Sequence, residues 1–318
     1  MSRTVVCEAL RSPEVLGRVR GPCHKAGTTV QPQESASRFS DPHQHGRDDV
    51  PLQTAPTPGV PAFDLTGRLA LVTGSGRGIG HAIARGYALS GARVVLNGRD
   101  PERLEAAAAA LREELAPGRP PGDVQVHAFD VADPAEVEQA CEAVVAAHGC
   151  PDILVNNAGV QIRGPLTELP VDDWKRVVDV NLTSGFLVGR AFARHMLPRG
   201  SGKIINVCSV QNHLVRATTA PYAAAKSGLG GLTRAMCAEW ASAGIQVNGL
   251  APGYIDTDLN ASLVADPDFS RWITRRTPAA RWGRVEDVVG PAIWLASPAS
   301  DFVNGQVIYV DGGMTAVL

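Results

Sequence analysis

No apolar run in this 318-residue chain reaches the about 20 residues that a bilayer-spanning helix needs, so no membrane partner is expected. Paired cysteines are missing too. The six, at positions 7, 23, 141, 150, 208 and 237, form no C-x-x-C pair and no disulfide-like spacing. The expectation is a reducing, cytoplasmic compartment. An excess of charge of either sign is also absent. The formal net charge is −2, and nothing argues for a nucleic-acid partner. Aromatics make up only 5% of the chain, with four tyrosines. Apolar residues, by contrast, reach 44%, ample for a buried core.

The first sixty residues lack any sustained hydrophobic period. They are rich in Pro, Gly, Ser, Gln and charge, a composition that cannot bury enough apolar surface to offset chain entropy. Residues 1–62 are therefore expected to form a disordered N-terminal extension. Cys23, His24, His43 and His45 lie there, but their spacing fits no standard zinc finger, and no metal is expected. The segment also lacks the apolar stretch of a secretory signal.

From Phe63 onward the pattern becomes regular. "LALVTG" is a short β-branched run ending in glycine, and "IGHAIARGYALSGA" follows with helical periodicity. "RVVLNGR", "VQVHAFDV", "DILVNNAG", "KIINVCSV", "IQVNGLAPG" and "GQVIYVDGG" read as six further strands. Asp100 followed by Pro101 predicts a capped helix start, and "DPAEVEQ" repeats it. Strands alternating with helices imply parallel βαβ units covered on both faces. The predicted fold is α/β: a single-domain, Rossmann-like, doubly wound, seven-stranded parallel sheet over residues 63–318.

The turn after the first strand carries Gly74, Gly76, Gly78 and Gly80, which leave room for backbone amides to approach a pyrophosphate at a helix N-terminus. The second strand ends in "LNGRD". An NAD-preferring fold usually has an acid here for the ribose hydroxyls. This chain has Asn97 and then Arg99, with Asp100 reserved as a cap and Arg77 in the glycine turn. Two arginines suit a 2′-phosphate, so NADP is expected over NAD, with NAD use left open.

"YAAAK" places Tyr222 four residues before Lys226 on one face of an alanine-rich helix. An ammonium beside a phenol favours the phenolate and lowers its pKa. The pair is either a feature of a helix surface or the core of an acid–base site.

Taken in order, T-G-x-x-x-G-x-G at Thr73–Gly80, "NNAG" at 156–159, Asn181 in "VNL", Ser209, "YAAAK" and "PG" at 252–253 resemble the short-chain dehydrogenase/reductase family over nearly all of residues 63–318. The resemblance implies a catalytic tetrad. Tyr222 would be the general acid or base, and Lys226 would tune it and bond the nicotinamide ribose. Ser209 would orient the substrate carbonyl, and Asn181 would anchor a water leading from Lys226 to solvent. It further implies that Asp130 and Val131 meet the adenine and that Asn157, Ala158 and Gly159 line the adenosine side. Pro252, Gly253 and Ile255 would pass the nicotinamide, with Thr257 near the carboxamide or pyrophosphate. Ile79 belongs to the same glycine-turn set. Cys208 stands where the family often has serine, and should point away from the substrate. A homotetramer is implied, with the Tyr222 helix and the one before it at an interface.

Substrate choice rests on the loops. Arg163 lies just past the fourth strand, and Gln211, Asn212 and His213 follow Ser209. Arg163 suits a carboxylate, and the amide and imidazole groups suit hydroxyls. Arg271, Arg275 and Arg276 in the lid stretch favour an anionic ligand on approach. Stretches such as "VVLNGRD" and "LVADPDFSRWITRRTPAARWG" resemble family members acting on sugar acids, which implies a polyhydroxy carboxylate and hydride transfer at C5. A 3-oxoacyl carrier-protein reductase and a broad-specificity carbonyl reductase remain the alternatives.

Overall fold

The computed structural model describes residues 63–115 and 123–318. The expected extension over residues 1–62 lies outside them.

Seven strands form one sheet in the order β3-β2-β1-β4-β5-β6-β7. They are β1 Leu69–Val72, β2 Arg93–Gly98, β3 Val124–Ala128, β4 Ile153–Asn156, β5 Gly202–Val207, β6 Ile245–Pro252 and β7 Val307–Val310. Every pairing is parallel. The strand order reverses between β1 and β4, so a crevice opens at their carboxyl ends, where such sheets bind ligands.

Alternation along the strands divides the core into two layers. Ala70 and Val72 of β1 and Val94 and Leu96 of β2 face one layer. Leu69, Leu71 and Val95 face the other. The first layer is closed by α1 (Gly78–Leu89), α2 (Pro101–Leu115) and α9 (Val285–Ala296) through Ile83, Leu104 and Val288. The second is closed by α3 (Pro134–His148), α5 (Ser184–Arg199) and α6 (Ala220–Trp240) through Val137, Phe192 and Met236. Burying each such Leu, Ile or Phe is worth about 1.5–3 kcal/mol.

The helix starts follow the sequence signals. Asp133 accepts from the amides of Ala135 and Glu136 at 2.8 and 3.0 Å. Asp100 accepts from Arg103 N at 3.1 Å. Between α4 (Val171–Val178) and α5 the chain widens into a π-turn, Asp179–Thr183, which buries Asn181. Two short helices beyond β6, α7 (Ala261–Val264) and α8 (Pro267–Arg276), form a lid region. Among the described residues, no helix is long and apolar enough to cross a membrane.

Candidate active site

A cavity of about 480 Å³ runs along the carboxyl end of the sheet, from the glycine turn to Ser209, Tyr222 and Lys226. The turn is braced from behind. Thr73 Oγ1 accepts from the amides of Asn157 and Ala158 at 2.9 and 3.1 Å. Asn157 Nδ2 donates to the carbonyls of Thr73 and Gly74 at 2.8 and 3.1 Å. A Cβ on Gly80 would stand 2.3 Å from that Nδ2 and 2.6 Å from Gly74 O, so only glycine fits. No side chain caps the N-terminus of α1, leaving its first amides free to meet an anion.

The expected dinucleotide residues all line this cavity: Gly74, Gly76, Arg77, Gly78, Ile79, Gly80, Asn97, Arg99, Asp130, Val131, Asn157, Ala158, Gly159, Pro252, Gly253, Ile255 and Thr257. Several of these side chains also make bonds within the protein. The Asn97 amide donates to the carbonyls of His127 and Phe129, each at 3.2 Å, and its Oδ1 accepts from Gly74 N at 3.3 Å. Its side chain is spent on fastening β2 to β3 and to the turn, as that of Asn157 is spent on the turn itself. Arg77 is exposed and reaches across to Asp258, forming an ion pair at 2.8 Å.

The end of the cavity beyond β2 is basic. Arg99 and Arg176 lie 3.7 and 3.8 Å from the same Asp130 oxygen, and Arg77 and Arg103 line the same region. Arg103 and Arg176 were not anticipated from the sequence. Arg176 comes from α4, remote from every cofactor motif. The residues fit NADP: an uncapped helix start for the pyrophosphate, and guanidinium groups with no acid on the end of β2 for a 2′-phosphate.

At the other end the tetrad residues converge. Lys226 is buried and donates from Nζ to Val207 O at 2.6 Å. Its Nζ lies 5.7 Å from the centre of the Tyr222 ring. Ser209 Oγ accepts from Gln211 N at 3.1 Å, and Ser209 and Tyr222 line the cavity together. Asn181 Nδ2 donates to the carbonyls of Val160 and Val177, both at 2.8 Å, while its buried Oδ1 has no protein partner.

The proton affinities correct one expectation. Lys226 does not bring the phenol toward neutrality in this structure. Burial pushes Tyr222 up to about 12, outweighing the neighbouring Ser209 hydroxyl, which acts in the opposite sense. Burial pulls Lys226 down to about 8. The ammonium is turned to the Val207 carbonyl, and the phenol is surrounded by protein although part of its surface stays accessible. Cys208 is buried with Leu229 and Ala251.

A second, smaller cavity adjoins the first, sharing Ser209, Tyr222, Gly253, Leu259 and Asn260 with it. Arg163 and Gln211 line it, as expected from the sequence. So do Arg216 and Tyr254, which were not singled out, although Arg216 sits in the loop between Ser209 and Tyr222 and Tyr254 directly follows "PG". His213 lines neither cavity; it is exposed and stacks on Tyr309 at 5.5 Å, because the short 3-10 turn Val210–Asn212 rotates it outward. Asn212 accepts from Ser209 N at 3.2 Å and so holds the serine loop. Arg271, Arg275 and Arg276 lie on α8 outside both cavities. Arg271 is paired with Asp268, and Arg276 donates to Val317 O at 3.1 Å.

Fold, glycine turn and tetrad geometry define a nucleotide-dependent oxidoreductase scaffold, and the chain belongs to the short-chain dehydrogenase/reductase family. The family model described as "Enoyl-(Acyl carrier protein) reductase" matches residues 74–315. Gluconate 5-dehydrogenase of Gluconobacter oxydans is 48% identical over 256 residues, spanning 80% of this chain and 98% of its own. The 5-keto-D-gluconate 5-reductase of Escherichia coli K12 is 46% identical over 253 residues, spanning 79% and 97%. Among solved structures, a gluconate 5-dehydrogenase from Burkholderia cenocepacia in complex with NADP and tartrate is 52% identical. It superposes with a TM-score of 0.77 over 81% of this chain and 98% of its own.

Proposed function

We propose that the protein interconverts D-gluconate and 5-dehydro-D-gluconate with NADP, and that residues 63–318 form its catalytic domain. The observation that carries this is the junction of two cavities at Tyr222 and Ser209, one fitted for a dinucleotide and the other lined by Arg163 and Gln211. Relatives named for the same chemistry cover almost their whole length.

Bound in the larger cavity, the dinucleotide would supply a hydride as NADPH in reduction and accept one as NADP⁺ in oxidation. The protein's residues handle the oxygen. Ser209 holds the C5 carbonyl by a hydrogen bond that strengthens as negative charge grows there. Tyr222 delivers the proton to that oxygen in reduction and removes it in oxidation. Lys226, anchored on Val207 O, keeps a positive charge beneath the site and would bond the nicotinamide ribose. The free Asn181 Oδ1 accepts from the water that links Lys226 to solvent. Arg163 fixes the carboxylate, and Gln211 meets a hydroxyl.

The enzyme is further proposed to be cytoplasmic and homotetrameric. The described cysteines are all free thiols. Trp174 on α4 and Phe186 on α5 are exposed apolar side chains suited to an interface.

The test is NADPH consumption with 5-keto-D-gluconate, against acetoacetyl-coenzyme A as substrate and NADH as cofactor. Turnover of the keto acid at the highest kcat/KM, preferring NADPH, is expected. Turnover of the thioester alone would move the protein to the acyl-chain reductases.

A further inference from the structure

Arg163 has a counterpart that the sequence motifs do not mark. Arg216 lines the same small cavity, and no Asp or Glu does. Both guanidinium groups keep a buried Nε with no hydrogen-bond partner. Two like charges facing one cavity without a compensating acid are unfavourable unless an anion joins them. Burial, with Arg216 nearby, holds Arg163 below the usual arginine range.

The two arginines are placed by built structure. The loop after β4 and the loop after β5 are joined where Gly164 N donates to Thr218 O at 3.1 Å. Thr218 stands at φ +69°, a left-handed conformation that a β-branched residue rarely adopts. Thr219 Oγ1 donates to the carbonyl of Arg216 itself at 2.8 Å. On its far side the Arg216 guanidinium lies over the ring of Phe269 on α8, 5.0 Å from its centre. Phe269 belongs to an aromatic group with Tyr254, Trp272 and Trp282. The Phe269 ring packs against the guanidinium and restricts its orientation beside Tyr254.

We propose that Arg216 is the second arm of a two-arginine receptor for the substrate's carboxylate, facing Arg163 and held in place by the Phe269 ring of the lid. The identity of the carboxylate as that of a sugar acid rests on the function proposed above. A single arginine would recognise the charge. Two, on loops tied to each other, also fix the distance from the carboxylate to the carbon beside Tyr222, which discriminates against neutral ketoses.

The test compares wild type, Arg216→Met and Arg216→Lys, each loaded with NADP. Calorimetric titration with D-gluconate and with tartrate reads binding. NADPH-dependent reduction of 5-keto-D-gluconate and of D-fructose, a neutral ketose, reads discrimination. Methionine keeps apolar contact with Phe269 and removes the charge. Loss of charged hydrogen bonds should weaken gluconate binding and raise KM for the keto acid on the order of 10- to 100-fold. Kinetics on fructose should fall far less than those on the keto acid, and lysine should recover part of the loss. Wild-type turnover of the keto acid with unaltered gluconate binding in both variants would overturn the receptor and leave the proposed function standing. An equal fall on keto acid and fructose would likewise overturn it, in favour of a lid contact. Arg216-dependent tartrate binding by an enzyme that ignores gluconate and its keto acid would uphold the receptor and sink the sugar-acid reading. Wild type that binds neither anion would overturn the receptor. Should Arg216→Met fail to fold, the lysine variant decides: unchanged KM and Kd contradict the proposal.

Discussion

The Lys226 ammonium donates to the Val207 carbonyl oxygen at 2.6 Å while lying 5.7 Å from the Tyr222 ring centre. A neutral carbonyl is its hydrogen-bond acceptor, deep among protein atoms. Its charge is therefore poorly compensated, and its pKa falls to about 8.

This has a consequence for stability. Native Lys226 releases its proton near pH 8, whereas the unfolded chain holds it to about 10.5. Between those values the unfolded state binds more protons, so unfolding free energy rises with pH. The burial penalty is full below pH 8 and is relieved toward 10.5. Urea midpoints measured from pH 7 to 9.5 should therefore climb more steeply in wild type than in Lys226→Met. Parallel curves for the two proteins would show that this charge is not buried at a cost.

Tyr222 works in the other sense. With its pKa raised to about 12, it stays a proton donor across the neutral range. Ketone reduction should hold its rate across the neutral range and fall above about pH 8, where Lys226 loses its charge, while alcohol oxidation, which needs the phenolate, should rise with pH up to that point. Tyr222→Phe should cost on the order of 10²- to 10⁴-fold in kcat, with NADP affinity little changed. Initial rates and a fluorescence titration read the two quantities.

Cofactor choice should reside in the basic end of the larger cavity. Arg99→Ala removes one guanidinium from the group around Asp130. Its kcat/KM with NADP should fall on the order of ten-fold, the value of one charged hydrogen bond, and its value with NAD should hold or rise. An equal fall with both cofactors would place Arg99 outside phosphate recognition.

The glycine turn is sterically closed at Gly80. In Gly80→Ala the new Cβ would have to displace Asn157 Nδ2 and the Gly74 carbonyl. Overpacking of this kind costs about 1–3 kcal/mol, and Asn157 would lose its bonds to the turn. A lowered melting temperature together with weakened NADP binding is expected; an unshifted melting temperature would mean the turn yields.

Most of this architecture is legible in the sequence because it rests on local signals. All seven strands follow β-branched runs punctuated by glycine, and Asp100 and Asp133 cap the helices that their Asp-Pro pairs announce. The site motifs are similarly local, so Gly74–Gly80, Asn181, Ser209, Tyr222 and Lys226 meet where expected. What escapes is the product of tertiary packing. Arg176 reaches Asp130 from a separate helix, and Arg216 lines the small cavity from a loop that Thr218 ties to the one after β4. His213 sits beside site residues in sequence yet turns outward onto Tyr309. The direction of the Tyr222 shift was also hidden, since i,i+4 spacing fixes a shared face but not where the Lys226 ammonium points.

Position-specific hydride transfer tests the central claim most directly. Reduction of 5-keto-D-gluconate with NADPH deuterated at C4 of the nicotinamide, followed by NMR of the product, reads which carbon receives the label. The account predicts D-gluconate carrying deuterium at C5 alone. A product labelled at another carbon, or unlabelled keto acid recovered beside active turnover of an acyl thioester, would contradict it.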